Sequence, residues 1–205
     1  MKQFLEKVRT AQWQSLPKQI IATTGVVLLG FALGVLQKWM DGSSDNLFPV
    51  WIQQLDIGNY FGRLAIWILL ATIISVYSKS PLRASVNTFI SMLAGYYLYC
   101  NCVLGFLPRT YMRIWIFMSF ASFFMAYICW YAKGEGIIAI LISAVILGVL
   151  FAQAFCITQG FYVFHFITWI IGVIIMCRKP KEFVAELGLS VIIAFLYQLV
   201  IPYFG

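Results

Sequence analysis

Seven apolar stretches of nearly bilayer length take up most of this chain, and no other feature of the sequence constrains the fold as strongly. A helix needs about 20 mostly apolar residues to cross a hydrocarbon core about 30 Å thick. Lipid offers backbone amides no hydrogen-bond partner, so such segments must be helical, and they lack the two-residue period of barrel strands. The sequence therefore predicts an all-α, polytopic transmembrane helix bundle with seven spans, or six if one run does not cross. The predicted spans are residues 19–37, 61–77, 85–106, 112–131, 136–155, 161–177 and 183–201.

The composition agrees with a membrane protein. Hydrophobic residues make up 62% of the chain and charged residues 10%, and the mean hydropathy is +0.91, well outside the range of soluble globular proteins. Residues 1–205 are expected to form one integral membrane domain, because the longest polar segments are too short for a soluble domain. The first apolar run is too long for a signal-peptide core and is expected to be a retained span.

The basic residues predict the orientation. The net charge of +7 could suggest nucleic acid, but the lysines and arginines lie at the predicted helix ends, which favours a topological role and no nucleic-acid partner. With the N-terminus inside, ten of the 14 fall on the cytoplasmic side, as the positive-inside rule requires. Seven spans then place the C-terminus outside. The inner residues are Lys2, Lys7, Arg9, Lys18, Lys79, Arg83, Lys133, Arg178, Lys179 and Lys181, and the outer ones are Lys38, Arg63, Arg109 and Arg113.

Residues 1–18 are basic and amphipathic. At helical spacing their apolar side chains share roughly one face, which predicts a short helix on an anionic cytoplasmic leaflet. An extension of the first span, or a dock for a cytoplasmic partner, fits the same pattern. The apolar residues are Phe4, Leu5, Val8 and Leu16, with Trp13 at the edge of the face.

Residues 38–60 form the predicted outer loop. Residues 48–56 are apolar and aromatic but too short to span, which predicts an interfacial helix with Trp51 at headgroup depth. A loop of this length could cover the outer face of the bundle.

The first span carries a Gly-x-x-x-Gly pattern at Gly30 and Gly34. Small residues at this spacing let two helices approach closely. The pattern predicts either a helix contact within the bundle or a docking face for another subunit.

Polar residues within spans are costly in lipid and tend to mark sites. Five of them lie toward the outer ends of the third, fifth and sixth spans, which predicts an outward-facing pocket for a small polar ligand; hydrogen bonding among them would instead be structural. Glu186, near the inner end of the seventh span, either lies at the interface near Lys181 or Arg178 or is buried and acts in coupling. The five pocket residues are Asn101, Gln153, Gln159, Tyr162 and His165.

Enzyme signatures are sparse. The single histidine excludes multi-histidine metal sites, and the chain has no Gly-x-Ser-x-Gly and no Gly-rich phosphate loop. No catalytic residue, metal or cofactor is therefore assigned. A pair of Cys102 or Cys156 with His165 leaves a thiol-based enzyme open. The cysteines are otherwise expected to be free, with a bridge from Cys100 or Cys102 to Cys156 as the alternative.

Three segments carry a resemblance: residues 29–41, 77–81 and 94–99. They are similar to a family of small, uncharacterised bacterial membrane proteins, which implies a bacterial inner-membrane location. More loosely, the chain resembles the substrate-binding S-components of energy-coupling factor transporters, which bind a vitamin or metal at the outer side and dock to a coupling subunit. Those proteins generally have six spans and an Ala-rich docking motif, where this chain has a seventh span and Gly30 and Gly34.

Three functions follow as hypotheses. A small-molecule capture or transport module working with partner subunits explains the outer polar residues, the covering loop and the glycine face. A non-catalytic accessory or structural subunit of a bacterial membrane complex explains the glycine face and the amphipathic N-terminal segment. A thiol-based intramembrane enzyme is the third.

Overall fold

The structure is a computed structural model that describes residues 6–42, 57–101, 109–156 and 160–200. Of the described residues, 87% are helical, which confirms the all-α prediction. The predicted interfacial helix at 48–56 lies outside the described residues.

Eight α-helices make up the described part of the chain, and a short antiparallel ribbon accompanies them. The ribbon pairs β1 (Phe155–Cys156) with β2 (Gly160–Phe161), and a 3-10 turn, Trp130–Lys133, follows the fifth helix. The helices are α1 (Leu16–Gly42), α2 (Ile57–Gly62), α3 (Leu64–Tyr77), α4 (Pro81–Asn101), α5 (Arg109–Cys129), α6 (Ile137–Ala154), α7 (Val163–Met176) and α8 (Pro180–Val200).

Four segments among the described residues are long and apolar enough to cross a membrane, as predicted for a helical membrane protein. They are Leu16–Met40, Met112–Lys133, Ile137–Ala154 and Pro180–Val200.

The helices α3 and α7 are apolar but have only 14 residues each, about 21 Å of helix. Arg63 adopts an extended conformation and separates α2 from α3, and Phe161 belongs to the ribbon, so α7 begins only at Val163. The apolar runs at 61–77 and 161–177 are therefore longer than the helices α3 and α7 that they contain.

The helix α4 is long enough to span but carries several polar residues, and these face other helices. Asn87 accepts a hydrogen bond from Thr23 of α1 at 2.9 Å, and Thr88 shares one with Ser75 of α3 at 3.3 Å. Polar side chains inside a membrane bundle are stabilised by such partners. The polar face of α4 is therefore an inner face of the bundle.

Helix α1 runs parallel to α4, and α6 runs parallel to α8. Arg83 at the start of α4 donates to the Gln19 carbonyl at the start of α1. Gln198 near the end of α8 donates to the Ala152 carbonyl near the end of α6, at 2.9 Å. The C-terminal ends of α3, α5 and α7 meet the residues just before α1 and α8, through the contacts of Arg9 and Arg178, so successive helices among α1 and α3 to α8 alternate in direction.

The long helices fall into two groups. The first contains α1, α4 and α5, with α4 packed on both neighbours, and the second contains α7, α6 and α8, with α6 packed on both. Helix α3 contacts helices of both groups and buries Ala65, Leu69 and Val76 almost completely. The two groups touch each other only slightly where α5 faces α6.

One end of the bundle collects basic side chains, and we call it the basic end. It brings together residues 9–12, 78–80 and 130–136: the Gln12 amide donates to the Lys79 carbonyl, and the Glu135 amide donates to the Val8 carbonyl, both at 2.8 Å. The basic residues there are Arg9, Lys79, Arg83, Lys133 and Arg178.

The N-terminal segment differs from its prediction. Residues 6–8 are helical, but residues 9–15 have no regular structure, and Trp13 is 89% exposed. Val8 is buried against Trp130 and Tyr131 of the 3-10 turn. The expected amphipathic helix therefore does not continue through 9–15, because hydrogen bonds to neighbouring turns replace helical ones; residues 1–5 lie outside the described part.

Candidate functional site

The described members of the predicted outer pocket lie at the end of the bundle opposite the basic end. Gln153, in the last turn of α6, is 4% exposed, and His165, in the first turn of α7, is 3% exposed. Tyr162 is the N-cap residue of α7. Asn101 is the last residue of α4, with its side chain outside the described part, and Gln159 lies outside the described residues.

An aromatic cluster surrounds His165. Its ring lies 5.7 Å from the Tyr162 ring and 5.2 Å from the Tyr60 ring of α2. Tyr60 also shares a hydrogen bond with Thr168, and the Arg63 guanidinium lies 4.3 Å from the Tyr162 ring. Burial raises the pKa of the Tyr60 hydroxyl, and the hydrogen bond with Thr168 acts in the opposite direction. This close ring packing holds α2 against α7. It favours a structural role for His165 over a role in ligand binding.

The glycines of α1 face the backbone of α4. A Cβ atom added at Gly30 would lie 2.1 Å from the Ser91 carbonyl oxygen, and one added at Gly34 would lie 2.3 Å from the Gly95 carbonyl oxygen. Real Cβ atoms do not approach so closely, so only glycine allows this contact. The face expected to serve either the bundle or a partner lies against α4.

Glu186 is fully buried and faces Arg178. The Arg178 Nε atom lies 2.9 Å from the carboxylate oxygen Oε2. The same guanidinium donates to Ser143 Oγ at 2.8 Å and to the carbonyls of Ala132 and Gly134. The pair therefore ties the start of α8 to the 3-10 turn and to α6.

A cleft of about 320 Å³ opens between the two helix groups, where α5 and α6 separate. Trp67 and Ala71 of α3 lie among its lining residues, with Met118 on the α5 side and Ile146 on the α6 side. Met125, which also lines it, is 60% exposed. The cleft therefore opens sideways, at the depth where the membrane-length helices would meet lipid.

The walls of the cleft are apolar, although several hydroxyl groups line them. Ser75 donates to the Ala71 carbonyl, Ser119 to the Trp115 carbonyl at 2.9 Å, and Ser122 to the Ser119 carbonyl at 2.7 Å. Each hydroxyl thus uses its proton within its own helix, a common arrangement for serine in membrane helices. An apolar ligand could therefore bind without breaking any of these three serine hydrogen bonds.

The two ends of the cleft differ. At the end away from the basic end, the Trp67 and Trp115 rings meet edge to face with centroids 5.2 Å apart. Beyond them lies a cavity of about 20 Å³ lined by Gln37 and Tyr96 among others, room for about one water. Toward the basic end the lining includes Cys129.

Cys129 marks where the cleft meets the basic end. Its thiol is in hydrogen-bonding contact with the hydroxyls of Thr72 and Ser75, which also line the cleft. The Arg9 guanidinium is close enough to Cys129 for the two to interact electrostatically.

The Arg9 guanidinium is held by backbone carbonyls. It donates to the Val76 carbonyl at 2.8 Å and to the Trp130 carbonyl, and its Cζ atom lies 4.2 Å from the centre of the Trp130 ring. Burial lowers the pKa of Arg9, and the nearby Cys129 acts in the opposite direction. Arginine nonetheless stays protonated at physiological pH.

Within the described ranges, no group of three or more His, Cys, Asp or Glu side chains could hold a metal ion. Among the described cysteines, Cys100, Cys129 and Cys177 are free thiols.

Sequence reasoning missed the cleft. Its lining residues are methionine, serine and alanine as well as tryptophan and isoleucine, types that also fill ordinary membrane-helix contacts. One weak signal exists: Met118, Ser122, Met125 and Cys129 recur at three- or four-residue steps along one face of α5.

No family model matches the chain, and searches of curated proteins and of solved structures gave no match either.

Proposed function

We propose that this protein is a membrane-embedded capture or transport module that takes a small apolar or amphiphilic molecule into the cleft between its two helix groups. The observation that carries the proposal is the cleft itself. Ligand sites in proteins typically measure roughly 300–1,000 Å³ and have mostly apolar walls, and they often lie between the helices of a bundle. The volume of about 320 Å³ falls at the lower end of that range.

The proposal changes the class of ligand expected from the sequence. The rings of Tyr60 and Tyr162 pack next to His165, whereas the cleft that carries this proposal lies between α5 and α6. The cleft offers a guest dispersion contacts and few hydrogen bonds. A hydrocarbon chain or a ring of similar width fits these walls better than a small polar solute.

The proposed topology has seven crossings, with the basic end in the cytoplasm and the C-terminus outside. The alternating helix directions support it, as does the collection of basic side chains at one end. Under this topology a bacterial inner membrane is the proposed location. Partner subunits would supply energy, since the sequence has no phosphate-binding loop.

Filling the cleft tests the proposal. Ala71 lines the cleft from α3, and Ala71→Leu would occupy part of the volume with a side chain. Brominated dodecanol quenches nearby tryptophans, and Trp67 and Trp115 both line the cleft. In detergent-solubilised protein we expect saturable quenching for the wild type and clearly weaker quenching for Ala71→Leu.

The matched control is Ala22→Leu, the same change at an exposed position of α1. It should leave quenching unchanged. If quenching does not saturate in the wild type, or if both variants quench like the wild type, the cleft does not bind the probe and the proposal fails.

A second function, a non-catalytic subunit of a membrane complex, is favoured by one observation. Polar groups at membrane depth are bonded to one another, as in the contact between Thr23 and Asn87 and the contact between Ser75 and Thr88. Such pairs hold helices together and need no ligand. Failure of the cleft experiment would favour this function.

A further inference from the structure

Hydrocarbon burial alone gives the cleft little selectivity. A chain that leaves the bilayer for the cleft exchanges one apolar environment for another, so the hydrophobic effect contributes little to binding. Shape and dispersion contacts remain, but every lipid tail can make them. Any ligand that the cleft selects must therefore be distinguished at a polar end.

The basic end of the cleft offers one positive charge at the right place. Arg9 donates to the carbonyls of Val76 and Trp130, which are the residues directly after Ser75 and Cys129 of the cleft wall. The guanidinium therefore lies next to the end of the apolar channel. It is also fixed in place, since the Trp130 ring lies against it.

Within the described ranges, no ion pair offsets this charge. Among the described residues no carboxylate lies within ion-pair distance of Arg9, and the acceptors it contacts are neutral carbonyl oxygens. Arg178, by contrast, has Glu186 as its ion-pair partner. A guanidinium has five N–H donors, so donors beyond the two hydrogen bonds above remain for an anion.

We infer that the cleft selects a single-chain anionic amphiphile, a fatty acid of the membrane, with the chain in the cleft and the carboxylate beside Arg9. The inference rests on the proposed function, since it assigns the ligand class of the same cleft. Charge complementarity decides the direction of the ligand, because the opposite end is lined by the uncharged side chains of Leu64, Trp67 and Trp115.

The experiment compares two probes of equal length, dodecanoate and dodecanol, as competitors of brominated dodecanol. The pH is set so that the acid is ionised. A charge-assisted hydrogen bond predicts that wild-type protein binds dodecanoate roughly tenfold more tightly than dodecanol. This comparison needs no variant and thus does not depend on a substituted chain folding.

The variants locate the charge. Arg9→Gln should reduce dodecanoate affinity to that of dodecanol while leaving dodecanol affinity unchanged, and Arg9→Lys should keep most of the preference. The matched control is Arg113→Gln, an exposed arginine near the opposite end of α5, which should keep the full preference.

Different failures have different meanings. If neither dodecanol nor dodecanoate competes, the proposed function fails and the inference fails with it. If both compete equally in the wild type, the cleft binds chains but the inference is wrong. Two further outcomes would overturn the assignment to Arg9. One is that Arg9→Gln lowers the affinities for dodecanoate and dodecanol equally, and the other is that only Arg113→Gln loses the preference for dodecanoate.

Discussion

Two arginines from distant parts of the chain hold the same turn. Arg9 donates to the Trp130 carbonyl, and Arg178 donates to the carbonyls of Ala132 and Gly134. The last carbonyls of a helix lack partners within the helix, and positive charge is favourable near them. The 3-10 turn after α5 is thus stabilised from the N-terminal segment and from the start of α8.

The buried pair of Arg178 and Glu186 should respond unequally to removal of its two members. Arg178→Met leaves a fully buried carboxylate without its cation, a change that typically costs about 3–5 kcal/mol. Glu186→Gln leaves Arg178 its contacts with Ser143 and two carbonyls, so we expect a smaller loss. Thermal unfolding in detergent measures both.

Lys181→Met is the control for that pair, because Lys181 is exposed on the same helix as Glu186. It should unfold like the wild type. A loss in Glu186→Gln as large as that in Arg178→Met would contradict the expected order.

At the scale of helices, the contact between α1 and α4 shows why glycine spacing matters. Gly30 and Gly34 lie one turn apart and meet Ser91 and Gly95, which are also four residues apart. Two parallel rows of small residues let the backbones approach closely, and dispersion contacts then hold the helices together.

The same substitution should lower stability at one glycine of α1 and not at another. Gly34→Ala places a Cβ atom 2.3 Å from a backbone oxygen of α4, and such overpacking typically costs about 1–3 kcal/mol. Gly25 has nothing within 4 Å of an added Cβ, so Gly25→Ala should be neutral or raise stability through helix propensity. Thermal unfolding compares them; similar losses in both would show that the α1–α4 contact is not the cause.

The sequence predicted the helices more reliably than their ends. Apolar runs identify each long helix because lipid requires helical backbone along them. The ends depend on local breaks, such as the extended Arg63 and the ribbon residue Phe161, which hydropathy does not register. The cleft could not be predicted with any specificity, because it forms where α5 and α6 fail to pack, and the spacing of Met118, Ser122 and Met125 on α5 is equally typical of an ordinary helix contact.

At the scale of the whole molecule, each of the two helix groups has one central helix that packs against both of the others. In the first group the helix that touches both neighbours is α4, and in the second it is α6. Helix α3 contacts members of both groups and forms the back wall of the cleft.

Single cysteines test the seven-span topology. In a cysteine-free background, Lys79→Cys at the basic end and Arg113→Cys near the opposite end are both at exposed positions. A membrane-impermeant maleimide should label Arg113→Cys in intact cells and Lys79→Cys only after permeabilisation. A reporter after residue 205 should be external; the reverse pattern, or a cytoplasmic reporter, would contradict the topology.

The contacts of the N-terminal segment can form only late in synthesis of the chain. Arg9 meets Trp130, which follows it by 121 positions, and the Val8 carbonyl meets the Glu135 amide. Ribosomes deliver the chain from its beginning, so α1 leaves the translation machinery long before these acceptors exist. Residues up to Glu135 must therefore be made before Val8 and Arg9 can form these contacts, and until then the Arg9 guanidinium lacks the Trp130 carbonyl as an acceptor.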